Sequence, residues 1–236
     1  MLIEEIIQRI QSLYSKGVES DDSRLTSRHI YNKMVSVRSK LISQQANKKQ
    51  KINQWNYQTI SCIEMIRVEK HDCPCLPPLG CHIWRTKYKL PKPLSNLNNH
   101  LVQSVTSIEG SMVFSEVLWH QVKYLSGNKY TSTKSVYFIQ NEYLYVASKS
   151  SPKVIAITAL FQEPLDAINY PTLCKEQCED CQECIDILSQ EFPIDADLIE
   201  PLIQECVQEL VVMFSQVLED KRNTSSDDKE NTSNRK

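Results

Sequence analysis

Residues 137–146 read YFIQNEYLYV, and this stretch decides the predicted fold. Aromatic and branched residues stand on both sides of the polar pair Asn141 and Glu142. Two such runs separated by two polar residues are typical of adjacent strands joined by a tight turn, because these side chains pack well on a small sheet. The pattern therefore predicts a β-hairpin that turns at Asn141 and Glu142.

Further strand-like segments lie on either side of this hairpin. Residues 59–66 alternate roughly in polarity, as a half-buried strand does. Prolines between positions 74 and 93 exclude a long helix there and favour an extended loop or an edge segment. Other short strand-like runs occur at 102–108, 112–114 and 154–160. Together they predict a small antiparallel β-sheet or barrel, whose edge strands could pair between copies of the chain.

Both ends of the chain have the apolar spacing of helices. An apolar stripe runs along residues 2–16, and a second helix is expected from the N-cap Thr26 to about Lys49. Near the C-terminus, Pro193 and Pro201 stand at expected helix starts. The apolar residues expected on one face of that last segment are Leu202, Ile203, Cys206, Leu210, Met213, Phe214 and Val217.

These elements define an α+β fold with four sequence regions. Residues 1–54 are the N-terminal region of amphipathic helices, 55–165 the central β-rich region, and 166–218 the C-terminal helical region. Residues 219–236 contain no apolar residue. We predict a disordered tail there, because nothing in that segment can be buried to offset the entropy of ordering it.

The composition of the 236-residue chain excludes several functional classes. Its net charge of −2 does not favour a dedicated nucleic-acid-binding protein. It has four glycines and no glycine-rich phosphate loop, and its histidines, serines and cysteines form no catalytic pattern. Apolar runs reach about five residues, far short of a membrane span, and the N-terminus does not resemble a signal peptide. We therefore predict a protein that is not an enzyme, is made in a cytoplasm and does not associate with a membrane.

A cluster of cysteines near the C-terminus offers a candidate metal site. The chain has nine cysteines and no export signal, which favours reduced thiols or metal ligands over disulfides. The four clustered residues are Cys174, Cys178, Cys181 and Cys184. Four thiolates could hold a tetrahedral zinc ion. In the purely structural interpretation, which we favour, the four thiols form a stripe on a helix and pack in a core, so that the protein binds no cofactor.

Two weaker interpretations involve other cysteine spacings. The first three cysteines of the cluster have the spacing of radical enzymes with an iron–sulfur cluster, but too few residues follow them to build the surrounding barrel. A second group lies in the proline-rich loop and could hold a metal or simply pack as small buried side chains. This group comprises Cys73, Cys75, Cys81 and His82.

Basic residues surround the apolar face of the second predicted helix. They are Arg24, Arg28, Lys33, Arg38 and Lys40. Such a surface could contact DNA in a channel. We favour the alternative that these side chains are solvated or form ion pairs with acidic residues on a neighbouring element.

Several segments of the chain resemble a structural protein of the short-tailed phages of the crAss-like group. They include YQTISCIEMI at 57–66, VTSIEGSMVFSEV at 105–117, KYTSTKSVYFIQNEYLYV at 129–146 and ITALFQEPLDA at 157–167. The similarity extends from about residue 20 to about residue 215 and also includes the helix LTSRHIYNKMVSVRSKLISQQ and the segment CPCLPPLGCHIWRTKYKLPKPLSN. Its more specific parts are the Pro-Lys-Pro at 91–93 and the turn at 108–111.

This resemblance implies a virion structural protein, namely a head-to-tail adaptor, or connector, at the portal vertex. Such subunits form a ring, with twelve copies expected, in which helical parts pack side by side. The implied partners are further copies of the chain, the portal protein, tail or further ring proteins and, non-specifically, packaged DNA. The resemblance supplies no catalytic or metal-binding residues. The alternative that the cysteines leave open is a zinc-binding interaction protein of a phage that acts on host machinery.

Overall fold

The computed structural model describes residues 1–17, 25–68, 83–96, 99–125, 134–148, 152–176 and 186–230. These residues form two units. The helical unit combines Met1–Ile42 with the segment that begins at Asp186, and the barrel unit comprises Ser43–Ile185. The α+β class is confirmed, and helices from both ends of the chain share one unit.

The elements follow in chain order. The helices are α1 (Ile3–Tyr14), α2 (Ser27–Asn47), α3 (Trp119–Leu125), α4 (Pro164–Ile168), α5 (Leu173–Glu176) and α6 (Ala196–Glu230). The strands are β1 (Gln58–Arg67), β2 (Ile83–Thr86), β3 (Ser95–Asn96), β4 (Asn99–His100), β5 (Val102–Ser107), β6 (Val113–Glu116), β7 (Val136–Gln140), β8 (Tyr143–Ala147) and β9 (Val154–Ala159).

The helical unit is built around apolar faces of α1, α2 and α6. Thr26 precedes α2 as predicted, and its hydroxyl oxygen accepts a hydrogen bond of 3.3 Å from the backbone N–H of His29. The N-terminus of the chain is fixed by backbone hydrogen bonds, including one of 2.9 Å from Ile3 N–H to the Gln190 carbonyl. The fully buried residues of this unit include Ile3, Ile6, Ile10, Ile30, Met34, Leu202, Ile203 and Leu210.

Helix α6 differs from its predicted bounds at both ends. It begins at Ala196, so Pro201 lies inside the helix instead of at its start. Proline is tolerated best in the first turn, and at this position it removes one backbone hydrogen bond. The helix continues to Glu230, beyond Leu218, where the composition predicts the end of order. In the segment after Leu218, Glu, Lys and Arg favour a helix, whereas Asp, Asn, Thr and Ser do not.

The central strands form a closed barrel in the order β1-β2-β8-β7-β6-β5-β9, and β9 pairs with β1. The neighbouring strands are antiparallel except β6 and β7, which are parallel. The long connection between β6 and β7 contains α3 and permits this crossover. Closure also corrects the expectation of edge strands, because every barrel strand has a hydrogen-bonded neighbour on both sides.

The predicted hairpin is confirmed in β7 and β8. Gln140 pairs with Tyr143, and the two residues between them have positive φ angles, 51° at Asn141 and 67° at Glu142. Positive φ at both central residues is the geometry of a type I′ turn, whose twist matches that of the flanking strands.

The interior of the barrel is an apolar core contributed by most of its strands. Its members include Ile63, Met65, Val105, Phe114, Leu144, Val146, Ile155, Ile157 and Phe161. A second, smaller cluster lies where Val122 of α3 packs with Ile83, Phe138 and Tyr145. The rings of Phe138 and Tyr145 stack with centroids 5.0 Å apart. Both clusters are made within the barrel unit.

Candidate assembly surfaces

Two basic residues of α2 form ion pairs with acidic residues of α6. The Lys33 and Lys40 ammonium groups bind the Glu209 carboxylate, and Lys40 also binds Glu205. The hydrogen bond from Lys33 lowers the pKa of Glu209, and the hydrogen bond to Glu205 raises the pKa of Lys40. The interpretation of this basic face as an ion-pairing surface is therefore confirmed at these two residues.

The structure corrects the predicted basic surface at Arg38, which is not on the surface. Its side chain is completely buried in the helical unit. Its Nε donates a hydrogen bond of 2.8 Å to the Pro193 carbonyl, and its guanidinium lies 6.0 Å from the centroid of the Phe192 ring. A buried cation needs such partners because desolvation is costly. Arg38 therefore fixes the segment before α6, whereas Arg28 is exposed and Arg24 lies outside the described residues.

Residues 210–214 of α6 are apolar on every side of the helix, and we call this segment the apolar collar. Leu210 is fully buried, and the Phe214 ring meets that of Tyr14 edge to face with centroids 5.8 Å apart. The three residues between them are exposed, Val211 by 48%, Val212 by 58% and Met213 by 43%. Sequence analysis placed Met213 on the buried face, and the structure corrects this. A helix that is apolar all round is normally buried, so the collar is a candidate contact surface.

The barrel unit also exposes apolar side chains, at the β5–β6 hairpin. Ile108 is 52% exposed and Val113 is 66% exposed. The turn between the two strands contains Gly110, whose φ is +69° and whose N–H donates to the Ser107 carbonyl at 2.9 Å. A positive φ is easily adopted by glycine. This turn is one of the segments on which the phage resemblance depends, and it presents a second candidate surface.

The cysteine prediction differs from the structure at Cys174. Its Sγ forms a disulfide with Cys62, which lies 112 residues earlier in β1, and the two Cα atoms are 5.8 Å apart. The expectation of reduced thiols is therefore wrong for this pair, because the fold joins residues whose separation gave no signal in the sequence. A sulfur in a disulfide is not a thiolate ligand.

The other cysteines of the predicted metal sites lie outside the described part of the chain. Cys178, Cys181 and Cys184 lie outside the described residues, as does the group Cys73, Cys75, Cys81 and His82. Cys206 is a buried free thiol, and burial raises its pKa to about 12. Within the described ranges, no three His, Cys, Asp or Glu residues are grouped as a metal site would require.

Sequence comparison identifies the family. The family model described as phage tail ring protein 2, of the crAss group, matches residues 5–229. No curated protein matches the chain. The helices of the described ranges include none with the length and apolarity needed to cross a membrane. The match covers nearly the whole of the helical and barrel units, and the chain therefore belongs to this family of phage tail ring structural proteins.

Proposed function

We propose that this chain is a non-enzymatic, ring-forming head-to-tail adaptor of the virion. In this role twelve copies surround the DNA exit path at the portal vertex and join the portal protein to the tail. The observation that carries the proposal is the family match over residues 5–229, which includes the elements of both units. The chain's resemblance to phage adaptors supports the finer assignment to the portal vertex.

The surface of the chain supports assembly into a closed ring. A ring requires a heterologous contact, in which one face of a subunit meets a different face of the next. The chain exposes apolar side chains in both units, at the collar on α6 and at the β5–β6 hairpin. Exposed apolar groups gain free energy when a neighbour removes them from water.

The charge of the chain supports a channel that does not bind DNA tightly. The formal net charge is −2, and Lys33 and Lys40 are engaged by acidic residues of α6. Tight binding to DNA requires many free cationic groups that can neutralise phosphates. A ring of such subunits would seal or line the exit path while contacting packaged DNA only weakly and non-specifically.

The test combines particle composition with assembly in solution. Proteomics of purified phage particles should find the chain in a fixed ratio to the portal protein. Size-exclusion chromatography with light scattering should show a monomer or weak oligomer alone and a ring when the portal protein is added. A chain that is absent from particles would overturn the proposal. If elemental analysis of the purified chain also found zinc, the favoured function would instead be the zinc-binding interaction protein that the cysteines suggest.

A further inference from the structure

The Cys62–Cys174 disulfide joins a distorted point of the barrel to the short helix α5. Between Ile60 and Ile63 the register of β1 against β9 shifts, so that two residues of β1 face one residue of β9. Cys62 is one of those two residues, and its φ is +59°. A bulge of this kind turns a side chain out of its regular direction in the strand. Here it brings the Sγ of Cys62 within bonding distance of Cys174.

The backbone at Cys62 indicates that this point of the strand serves the bond. A positive φ is unfavourable for a residue other than glycine, and it persists where the surrounding structure holds it. Cys62 is buried, whereas Cys174 is exposed. Small thiols and small disulfides can therefore approach the pair from the side of α5.

Helix α5 depends on its attachment to the barrel. It has only four residues, and helices shorter than about 12 residues are marginal in water on their own. The Lys175 N–H donates to the Thr172 carbonyl at 3.0 Å, and the Lys175 ammonium donates to the Tyr170 carbonyl at 3.4 Å. These hydrogen bonds stay within one short segment and do not attach it to a strand. The disulfide is the covalent link that holds α5 on β1.

The cell and the released particle offer this pair different redox conditions. A phage tail protein is made inside a bacterial cell, where thiols are kept reduced, and it leaves in a particle, on which disulfides persist. We propose that Cys62 and Cys174 are a redox-sensitive pair, reduced in the newly made chain and joined in the particle. The bond holds α5 on β1, and its reduction releases α5 while the barrel stays folded. The inference uses the family and not the adaptor role.

Formation of the bond requires an oxidant, which we identify as a low-molecular-weight disulfide. The thiolate of the exposed Cys174 attacks this disulfide, so that a mixed disulfide forms and one small thiol leaves. The thiolate of Cys62 then attacks the Cys174 sulfur of the mixed disulfide, the protein bond forms and a second small thiol leaves. The two cysteines thus lose two protons and two electrons, and the small disulfide takes them up as two thiols.

Peptide mapping tests when the bond forms. Free thiols are alkylated in acid-quenched infected cells and in purified particles, and the chain is then digested with trypsin. Cys62 lies on the tryptic peptide 52–67 and Cys174 on 154–175, while the other cysteines of the C-terminal cluster lie on 176–221. In cells the first two peptides should be alkylated, and in particles they should be linked to each other.

Three results of this mapping would overturn the proposal. They are alkylation of both peptides in particles, a link that is already complete in the quenched cells, and a link from either peptide to 176–221 in place of the expected pair. In each of them the chain is present in the particle or the cell extract, so they are distinct from the absence in particles that would overturn the adaptor role.

Hydrogen–deuterium exchange of the purified full-length chain tests what the bond does. Reduction with a dithiol should speed exchange of the amides of 168–176 at least about tenfold, because α5 then opens locally. The amides of β7 and β8 should remain protected over the same time. C62S should exchange rapidly in α5 with or without the dithiol, and the control C206A, which removes a buried free thiol, should respond like the wild type.

The exchange measurement on the wild type decides even if C62S does not fold. Equal exchange of α5 in the oxidised and reduced chains would overturn the proposal. Loss of protection in β7 and β8 together with α5 would also overturn it, because reduction would then unfold the barrel instead of releasing α5.

Discussion

The barrel unit and the helical unit cover their apolar groups in different ways. The barrel encloses its main core within a closed circle of strands, and α3 covers a second cluster on its outside. The helical unit buries one face of α6 and leaves Val211, Val212 and Met213 of the collar exposed. The barrel strands therefore cover their own main core, and apolar side chains remain exposed in both units, at the collar on α6 and at the β5–β6 hairpin.

The backbone explains why an exposed apolar surface costs less on a helix than at the edge of a sheet. A helix satisfies its backbone hydrogen bonds internally, so an exposed flank costs only the hydration of its apolar side chains. An exposed strand edge also leaves unpaired N–H and C=O groups and invites aggregation. Closure of the barrel removes that hazard, and the helical collar can remain available for a specific neighbour.

Removing a core ring should have the largest effect on the barrel. Phe161 is fully buried in the barrel core, and F161A should lower the free energy of unfolding by about 4 kcal/mol because it leaves a cavity. Chemical denaturation measures this change. The control W55A removes an aromatic side chain that is mostly exposed and should cost less than about 0.5 kcal/mol. Equal losses in the two variants would contradict a self-contained barrel core.

Reducing the disulfide should have the next largest effect. The Cys62–Cys174 bond closes a long loop within the barrel unit, and its reduction should lower the free energy of unfolding by about 3 kcal/mol. Denaturation with and without a reductant measures the loss. C62S should start at the lower stability and should not respond to the reductant. Alkylation of the denatured, unreduced protein at both cysteines would show that the bond is absent.

The buried arginine tests how the helical unit is held together. R38M retains an unbranched side chain but removes the hydrogen bond to the Pro193 carbonyl, and it should cost about 2 kcal/mol of stability. R28M changes an exposed arginine of the same helix and should cost almost nothing. If R38M were as stable as the wild type in thermal and chemical unfolding, the Arg38 contact would not stabilise the unit.

The ion pairs of α2 and α6 should give the smallest effect, and it should depend on pH. Because the folded pKa of Glu209 is lowered, its stabilisation is present above the unfolded pKa near 4.5 and is lost as pH falls through the folded pKa. E209Q should therefore reduce the melting temperature by about 2 °C at neutral pH and match the wild type in strong acid. E109Q, at an exposed turn of the barrel, serves as the control. If E209Q still melted below the wild type in strong acid, the loss would not come from the ionised Glu209 carboxylate.

Local patterns predicted much of the fold. The hairpin at Asn141 and Glu142, the N-cap Thr26 and the apolar stripe of α1 depend on residues close together in sequence, and the structure confirms them. Features that depend on distant residues were missed. They are the grouping of both chain ends in one unit, the parallel β6–β7 pair and the disulfide.

The exposed apolar residues of α6 were recognised in the sequence only in part. Leu210, Met213 and Phe214 were all assigned to the buried face, and Met213 was misplaced because periodicity alone cannot show how much of a helix its neighbours cover. Arg38 illustrates the opposite error, since its charge suggested exposure. Its burial depends on the Pro193 carbonyl and Phe192, which lie on a segment far away in sequence.

Cryo-electron microscopy of intact phage particles tests the central claim most directly. The account predicts a closed ring of this chain at the portal vertex. Density that places the chain elsewhere in the particle would contradict the adaptor role.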